Sequence, residues 1–301
     1  MKNEILRRLS ALALGLALLL NAAPLPQAFA VEDDTDASSS DSADSTDTTD
    51  ITVVTTADSD PTVTAAAANA PALDATAALL VSPESDMVLY EKNADEKRYP
   101  ASTTKIMTAL LTLENVSDLS AVVTAEASDF ENVTADSSNA GIKLGEQVTV
   151  KDLLYALMLP SANEAAYMLA RHVSGSWEQF VDMMNERAAE LGCTGTHFCN
   201  PCGLHEDDHY TTAHDLYRIA KQAMKDATFR DIVSTVQHRM AKTNLHEERI
   251  ILTTNQLIFS SFQPWSYANC LGIKTGHTSQ AGNCFVGYAE YGDAKLFSVV
   301  L

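Results

Sequence analysis

The segment that most restricts this chain's fold is residues 106–113, Ile106-Met107-Thr108-Ala109-Leu110-Leu111-Thr112-Leu113. A helix with apolar residues on nearly every face has no side to turn to water, so it must be packed around its whole circumference. It is therefore expected to be the central helix of a domain. Pro100 suits the entry to it. Ser102 and Lys105 then fall on its first turn, three residues apart and on one face. The same turn offers free backbone N–H groups and the positive end of the helix dipole.

The rest of the pattern is consistent with such a domain. Residues 77–82 and 87–91 are short apolar runs separated by Pro83-Glu84-Ser85-Asp86, a turn sequence, and predict a hairpin. Thr149 is the expected cap of a helix through Met158, and Pro160 disfavours helical geometry at Leu159. Further helices are expected over 164–172, 177–191 (ended by Gly192) and 215–224. Residues 271–276, 283–290 and 296–301 read as strands. Strands at both ends with helices between them predict an α+β domain. The terminal strands would share one antiparallel sheet, covered by helices that also form a mainly helical lobe.

The N-terminal part differs in kind. Lys2, Arg7 and Arg8 precede an apolar run over 9–20, and Ala28-Phe29-Ala30 follows. That run is shorter than the roughly 20 residues a membrane span needs. A secretory leader over 1–30 is the expectation, with no further anchor in the chain. Residues 31–70 carry ten acidic residues, no Lys or Arg and no aromatic. Such a segment buries too little apolar surface to offset its ordering entropy, and reads as a disordered Ser/Thr/Asp linker.

Of the formal charge of −20, the linker supplies −10 and the leader +2, leaving −12 on residues 71–301. That excess disfavours nucleic acid and anionic membrane as partners. The remaining stretch of about 230 residues is enough for one large catalytic domain. The sequence breaks off inside an apolar run, so a missing edge element or a longer natural chain is also expected.

Five cysteines leave at least one thiol unpaired within a monomer. Cys270 and Cys284, flanking an expected hairpin, are the candidate disulfide. Cys199-x-x-Cys202 stands without a second ligand pair. The cluster His205, Asp207, Asp208, His209, His214 lacks the paired His of a helical zinc site, so it reads as a hydrogen-bonded loop. No metal or other cofactor is called for.

Three short motifs carry the chemistry. In Ser102-Thr103-Thr104-Lys105, a serine hydroxyl needs a base to become a nucleophile. A lysine serves if burial or a neighbouring cation, here Lys274, keeps its amine neutral. In Ser161-Ala162-Asn163, set between two helices, Ser161 suits proton transfer and Asn163 suits holding an amide and Lys105. In Lys274-Thr275-Gly276, a cation and a hydroxyl suit a terminal carboxylate, and the glycine lets a substrate backbone approach the strand. An extended peptide could then add to the strand's edge.

Ser-x-x-Lys, Ser-x-Asn and Lys-Thr-Gly in this order form the set shared by penicillin-binding proteins and class A β-lactamases. Over about residues 72–301 the chain resembles the low-molecular-mass penicillin-binding proteins of the D-alanyl-D-alanine carboxypeptidase family. The resemblance includes Asn200-Pro201-Cys202-Gly203-Leu204, His209-Tyr210-Thr211-Thr212-Ala213 and Gly272-Ile273-Lys274-Thr275-Gly276-His277-Thr278. It implies a DD-peptidase/β-lactamase-like fold and an acyl-enzyme on Ser102 with Lys105 as base, assisted by Ser161 and Asn163. It also implies substrate binding by Lys274, Thr275, Gly276 and His277, with the N–H groups of Ser102 and His277 as oxyanion hole. The implied substrate is the D-Ala-D-Ala end of a peptidoglycan stem peptide, with β-lactams as covalent inhibitors and an extracytoplasmic, secreted or wall-associated location.

Two departures stand out: the family's later β-rich domain and amphipathic anchor are not in this sequence, and Cys202 replaces a more usual polar residue. A β-lactamase is disfavoured because Ser-Ala-Asn stands in place of Ser-Asp-Asn and no Glu-x-x-Leu-Asn follows. A non-catalytic wall-binding or penicillin-sensing protein of the same fold remains the other alternative.

Overall fold

The computed structural model describes residues 72–134, 137–259 and 266–301. The expected leader (1–30) and acidic linker (31–70) lie outside them.

The chain enters through the expected hairpin, β1 (Ala78–Ser82) and β2 (Met87–Lys92). After five helices (α1–α5), a short α6 and two small hairpins, it returns through β7 (Cys270–Thr278), β8 (Gly282–Tyr291) and β9 (Ala294–Val300). The five strands make one antiparallel sheet in the order β2-β1-β9-β8-β7. The first strand therefore pairs with the last, Ala78 opposite Val300. The fold is α+β, and β7, at one edge of the sheet, carries Lys274-Thr275-Gly276.

The central helix is α1 (Lys105–Asn115), preceded by a 3₁₀ turn over Ala101–Thr104. Ile106, Met107, Ala109, Leu110 and Leu111 are buried, and so are Thr108 and Thr112. Burial of each large apolar side chain contributes about 1.5–3 kcal/mol. The two threonines satisfy their hydroxyls on the carbonyls of Pro201 (2.6 Å) and Thr108 (2.8 Å), so α1 is buried from Lys105 to Thr112 with both hydroxyls paired, and only its last turn reaches solvent.

Around α1 stand α2 (Val150–Met158), α3 (Asn163–Ser174), α4 (Trp177–Glu190) and α5 (Ala213–Ala223). Thr149, Ser176 and Thr212 cap α2, α4 and α5 through their hydroxyls, each worth about 1 kcal/mol. Helix α5 lies on the sheet, where Tyr217 meets Phe297 edge-on with centroids 5.4 Å apart. The short α6 (Ala227–Val233) packs beside β7.

Two small hairpins, β3 (Val122–Thr124) with β4 (Gln147–Thr149) and β5 (Gln237–Met240) with β6 (Arg249–Leu252), had no signal in the sequence. Each is tied down by a buried carboxylate. Asp129 receives two prongs of Arg171 (2.9 and 2.8 Å), and Glu146 receives Arg249 (2.8 Å) and Thr243 (2.9 Å).

The expected disulfide is not formed. The β7–β8 register sets Cys270 opposite Ala289 and Cys284 opposite Gly276. Residues 270 and 276 lie roughly 20 Å apart along an extended strand, beyond the reach of a disulfide. All five cysteines are free.

Replacing Arg171 by Met should leave Asp129, 1 % exposed, as an uncompensated buried charge. We expect a loss of about 3–5 kcal/mol in denaturant unfolding, against near-neutrality if the pair contributes little.

Candidate active site

Ser102 lies on the 3₁₀ turn and Lys105 is the first residue of α1. In 3₁₀ geometry residues i and i+3 eclipse, so the expected same-face relation holds although the turn is tighter than an α-helix. Lys105 Nζ is 3.1 Å from Ser102 Oγ, 2.7 Å from Asn163 Oδ1 and 2.6 Å from the Cys202 carbonyl oxygen. A neutral amine has two hydrogens and one lone pair. Two of its neighbours here only accept, and the third is a hydroxyl that can donate. The set fits an ammonium donating to all three and equally an –NH₂ whose lone pair faces the Ser102 O–H, so a proton can pass between the two groups without rearrangement.

Electrostatics bring the two forms closer in energy. Lys105 is 0 % exposed, and burial pulls its pKa down to about 8, opposed by the Cys202 thiol and Glu164. The expectation that Lys274 supplies the lowering charge needs correcting. Burial dominates at Lys105, and the repulsion between the two amines is felt at Lys274. Lys274 is pulled well below the ordinary lysine range by burial first and by Lys105 second. It donates to the Thr275 carbonyl at 2.9 Å.

Ser161 and Asn163 flank Ala162 between α2 and α3. Asn163 is the first residue of α3 and aims its side-chain oxygen at Lys105. Ser161 adopts φ +66, and its hydroxyl is buried with no hydrogen-bond partner among the described residues. A polar group left in that state is unusual in a folded protein and marks a place where a further partner fits.

Strand β7 reaches Ser102 at Gly276. A Cβ there would stand 3.0 Å from the Ser102 amide nitrogen and 3.1 Å from the Pro100 carbonyl oxygen. Only glycine lets the strand lie so close to the turn. Thr275 meets Thr254 hydroxyl to hydroxyl at 2.5 Å. His277 is exposed and pairs through Nδ1 with Asn283 Oδ1 at 3.1 Å. Ser102, Lys105, Asn163 and Gly276 are thus brought together directly. Ser161, Lys274, Thr275 and His277 follow from their places in the same two segments.

Several functional neighbours escaped the sequence reading. The Cys202 carbonyl belongs to a block whose side chains alone were weighed. Asn200 Oδ1 accepts from the N–H groups of Gly203 (2.7 Å) and Cys202 (3.2 Å), which folds the block into a tight turn. At Gly203, φ is +86 and a Cβ would fall 1.9 Å from the Ala101 carbonyl oxygen. That turn can press against the nucleophile's own turn only with glycine there. Thr254 had no recognisable signal.

His209 was weighed as part of a possible metal cluster and as the start of a block shared with the family, with no role of its own. Its Nδ1 accepts the Cys199 N–H (3.1 Å), so Nε2 carries the proton and donates to Thr104 Oγ1 (2.8 Å). Burial brings its pKa down to about 3 and keeps it neutral. His214 instead meets Glu91, and among the described residues no three His, Cys, Asp or Glu side chains gather as a metal site would require.

Comparisons with known proteins agree with this arrangement. The family model described as D-alanyl-D-alanine carboxypeptidase matches residues 64–301. The D-alanyl-D-alanine carboxypeptidase DacF of Bacillus subtilis is 34% identical over 228 residues, 75% of this chain and 57% of that protein. The D-alanyl-D-alanine carboxypeptidase of Streptomyces sp. strain K15 is 38% identical over 226 residues, 71% of this chain and 75% of that one. The crystal structure of the Streptomyces K15 DD-transpeptidase superposes with a TM-score of 0.71 at 35% identity, covering 77% of this chain and 90% of that chain. The chain spans little more than half the length of some of these relatives. With the family model matched across the folded part, and Ser102, Lys105, Asn163 and Gly276 close together, the chain belongs to the D-alanyl-D-alanine carboxypeptidase family.

Proposed function

We propose that the chain is a serine D,D-carboxypeptidase that removes the terminal D-alanine from peptidoglycan stem peptides. The observation that carries this reading is the three-partner setting of Lys105, which suits a neutral amine accepting the Ser102 proton. Ser102 Oγ, its proton passed to Lys105, would attack the carbonyl carbon of the penultimate D-Ala. The oxyanion that forms would take the N–H groups of Ser102 and His277. One such donor typically lowers the barrier by about 3–4 kcal/mol.

Collapse of the tetrahedral intermediate breaks the peptide bond. The proton held by Lys105 goes to the leaving amine, with the unpartnered Ser161 hydroxyl as relay and Asn163 keeping Lys105 in place. Water then attacks the ester with Lys105 again as base, and Ser102 is regenerated.

Lys274 explains selectivity for a free carboxylate. Without an anion, burial beside Lys105 favours its uncharged form. A substrate carboxylate would restore the proton and bind in a charge-assisted contact, with the Thr275 hydroxyl as second donor. A β-lactam presents a carboxylate and a strained amide in the same relation, so it would acylate Ser102 and deacylate slowly.

The work would be done outside the cytoplasm, after export by the 1–30 leader, with 31–70 as a spacer to the catalytic domain over 71–301. No described helix is long and apolar enough to cross a membrane.

Release of D-Ala from diacetyl-Lys-D-Ala-D-Ala and covalent labelling by a fluorescent penicillin test the reading. Ser102→Ala and Lys105→Ala should each lower both by at least about 10³-fold. Labelling that persists in Ser102→Ala, or maps to another residue, sinks it. Because the base must be unprotonated and its pKa is about 8, acylation of the unmodified protein should rise with pH and pass half its plateau near pH 8. A rate already flat between pH 6 and 9 on this axis would contradict Lys105 as base.

A further inference from the structure

Glu164 is the first residue after Asn163 on α3, and neither the motifs nor the reaction above assigns it a task. It is 1 % exposed. Its Oε1 accepts the N–H of Ala140 at 2.7 Å and, more weakly, that of Ile142 at 3.5 Å. Its Oε2 is buried and has no hydrogen-bond partner among the described residues. The same side chain lines a cavity of about 210 Å³ with Thr134, Asn139 and Ile142. A buried carboxyl with one oxygen unpaired is expensive, so packing alone does not account for it.

Its connections lead to the base. Ser138 accepts the Asn163 N–H through its carbonyl at 2.9 Å, and Glu164 holds Ala140 and Ile142. Residues 138–142 are therefore strapped onto the Ser-Ala-Asn loop at two consecutive residues, Asn163 and Glu164. Asn163 in turn holds Lys105 at 2.7 Å.

We propose that Glu164 is a positioning residue for acylation: it fixes the 138–142 strap against the Ser-Ala-Asn loop and, when ionised, adds a negative charge next in the chain to Asn163, the residue that holds Lys105. The inference rests on Lys105 being the base.

The groups facing Lys105 from the surrounding elements are few. Burial holds the Cys202 thiol protonated, His209 stays neutral, and Lys274 is pushed towards its uncharged form by burial and by Lys105. Glu164 is the acid among them. Burial raises its pKa, while the N–H groups of Ala140, Ile142 and Glu164 itself, together with Lys105, favour the charged form. As an anion it favours the protonated lysine and so opposes the effect of burial. Removing that charge while keeping the acceptor for Ala140 should make Lys105 give up its proton at lower pH.

The test is penicillin acylation against pH in Glu164→Gln. We expect the rising limb to move to lower pH, because the amide oxygen keeps the strap while the charge is gone. Glu164→Asp keeps the charge and shortens the reach. It should leave the limb near its wild-type position while slowing acylation at the plateau. A limb that stays put in Glu164→Gln, or moves to higher pH, overturns the proposal, since a purely structural acceptor would not move the profile.

Should Glu164→Gln fail to fold, ¹³C NMR of the Glu164 carboxyl in the unmodified protein decides. The resonance is expected to show a second inflection where Lys105 titrates, and its absence refutes the coupling. Lys105→Ala separates the two readings. If it still acylates, the assignment of the base fails; if it is dead while Glu164→Gln is unmoved, only this inference fails.

Discussion

A lysine amine buried among two carbonyl-type oxygens and one hydroxyl is the interaction on which the rest of this structure depends. Taking an ammonium out of water is costly, and the protein answers by letting the group lose its charge, with its pKa near 8. That requires full enclosure, since one open side would restore the solvent that stabilises the cation. The buried part of α1, Lys105–Thr112, provides it, and its all-round apolar sequence would thus serve the proposed chemistry as well as folding. The threonines of α1 bond back to carbonyls and do not compete for the lysine.

Enclosure alone does not orient the amine. Asn163 and the Cys202 carbonyl take its two hydrogens from opposite segments, α3 and the 200–204 turn. Each segment is fixed by its own local rule. Asn163 stands at the start of a helix, where its N–H is free to be held by Ser138. The 200–204 turn is closed by Asn200 and passes the nucleophile through a glycine with positive φ. From the third side β7 arrives at Gly276, close to the Ser102 amide. A strand at the edge of a sheet is suited to this, because its outer side is open to an extended peptide.

Much of this was legible from the residues, and the limits of legibility have physical causes. The hairpin at 78–92, the capped helices and the three late strands follow local rules of turn, cap and periodicity, and they appear within a residue or two of expectation. The site's side chains were legible because three motifs each combine a reactive group with a structural reason for its place. The small hairpins were not. Strands such as Gln237–Met240 are three or four residues long and mostly polar, and they are held by Glu146 and Asp129 from far away in sequence. The disulfide failed for a similar reason: flanking a hairpin does not make two residues cross-strand partners, and register is a property of the whole sheet. Burial, the larger cause of the lysine's lowered proton affinity, was legible in the all-round apolar helix; the added part assigned to Lys274 was not, because a charge visible in a motif says nothing about which of two amines feels the repulsion.

Cys202 shows how backbone and side chain divide the work. It departs from the residue expected in its block, yet the contact to Lys105 is made by its carbonyl, which any residue would offer. The side chain points to Asn200 and Tyr167, and its thiol, raised by burial, stays uncharged beside the base. A thiolate there would favour the protonated form of Lys105, and burial keeps the thiol further from that state than an ordinary cysteine would be. Gly203, one residue on, has no such freedom, since any Cβ would run into the carbonyl of Ala101. Variation is therefore open where the main chain supplies the chemistry and closed where the side-chain volume must be zero.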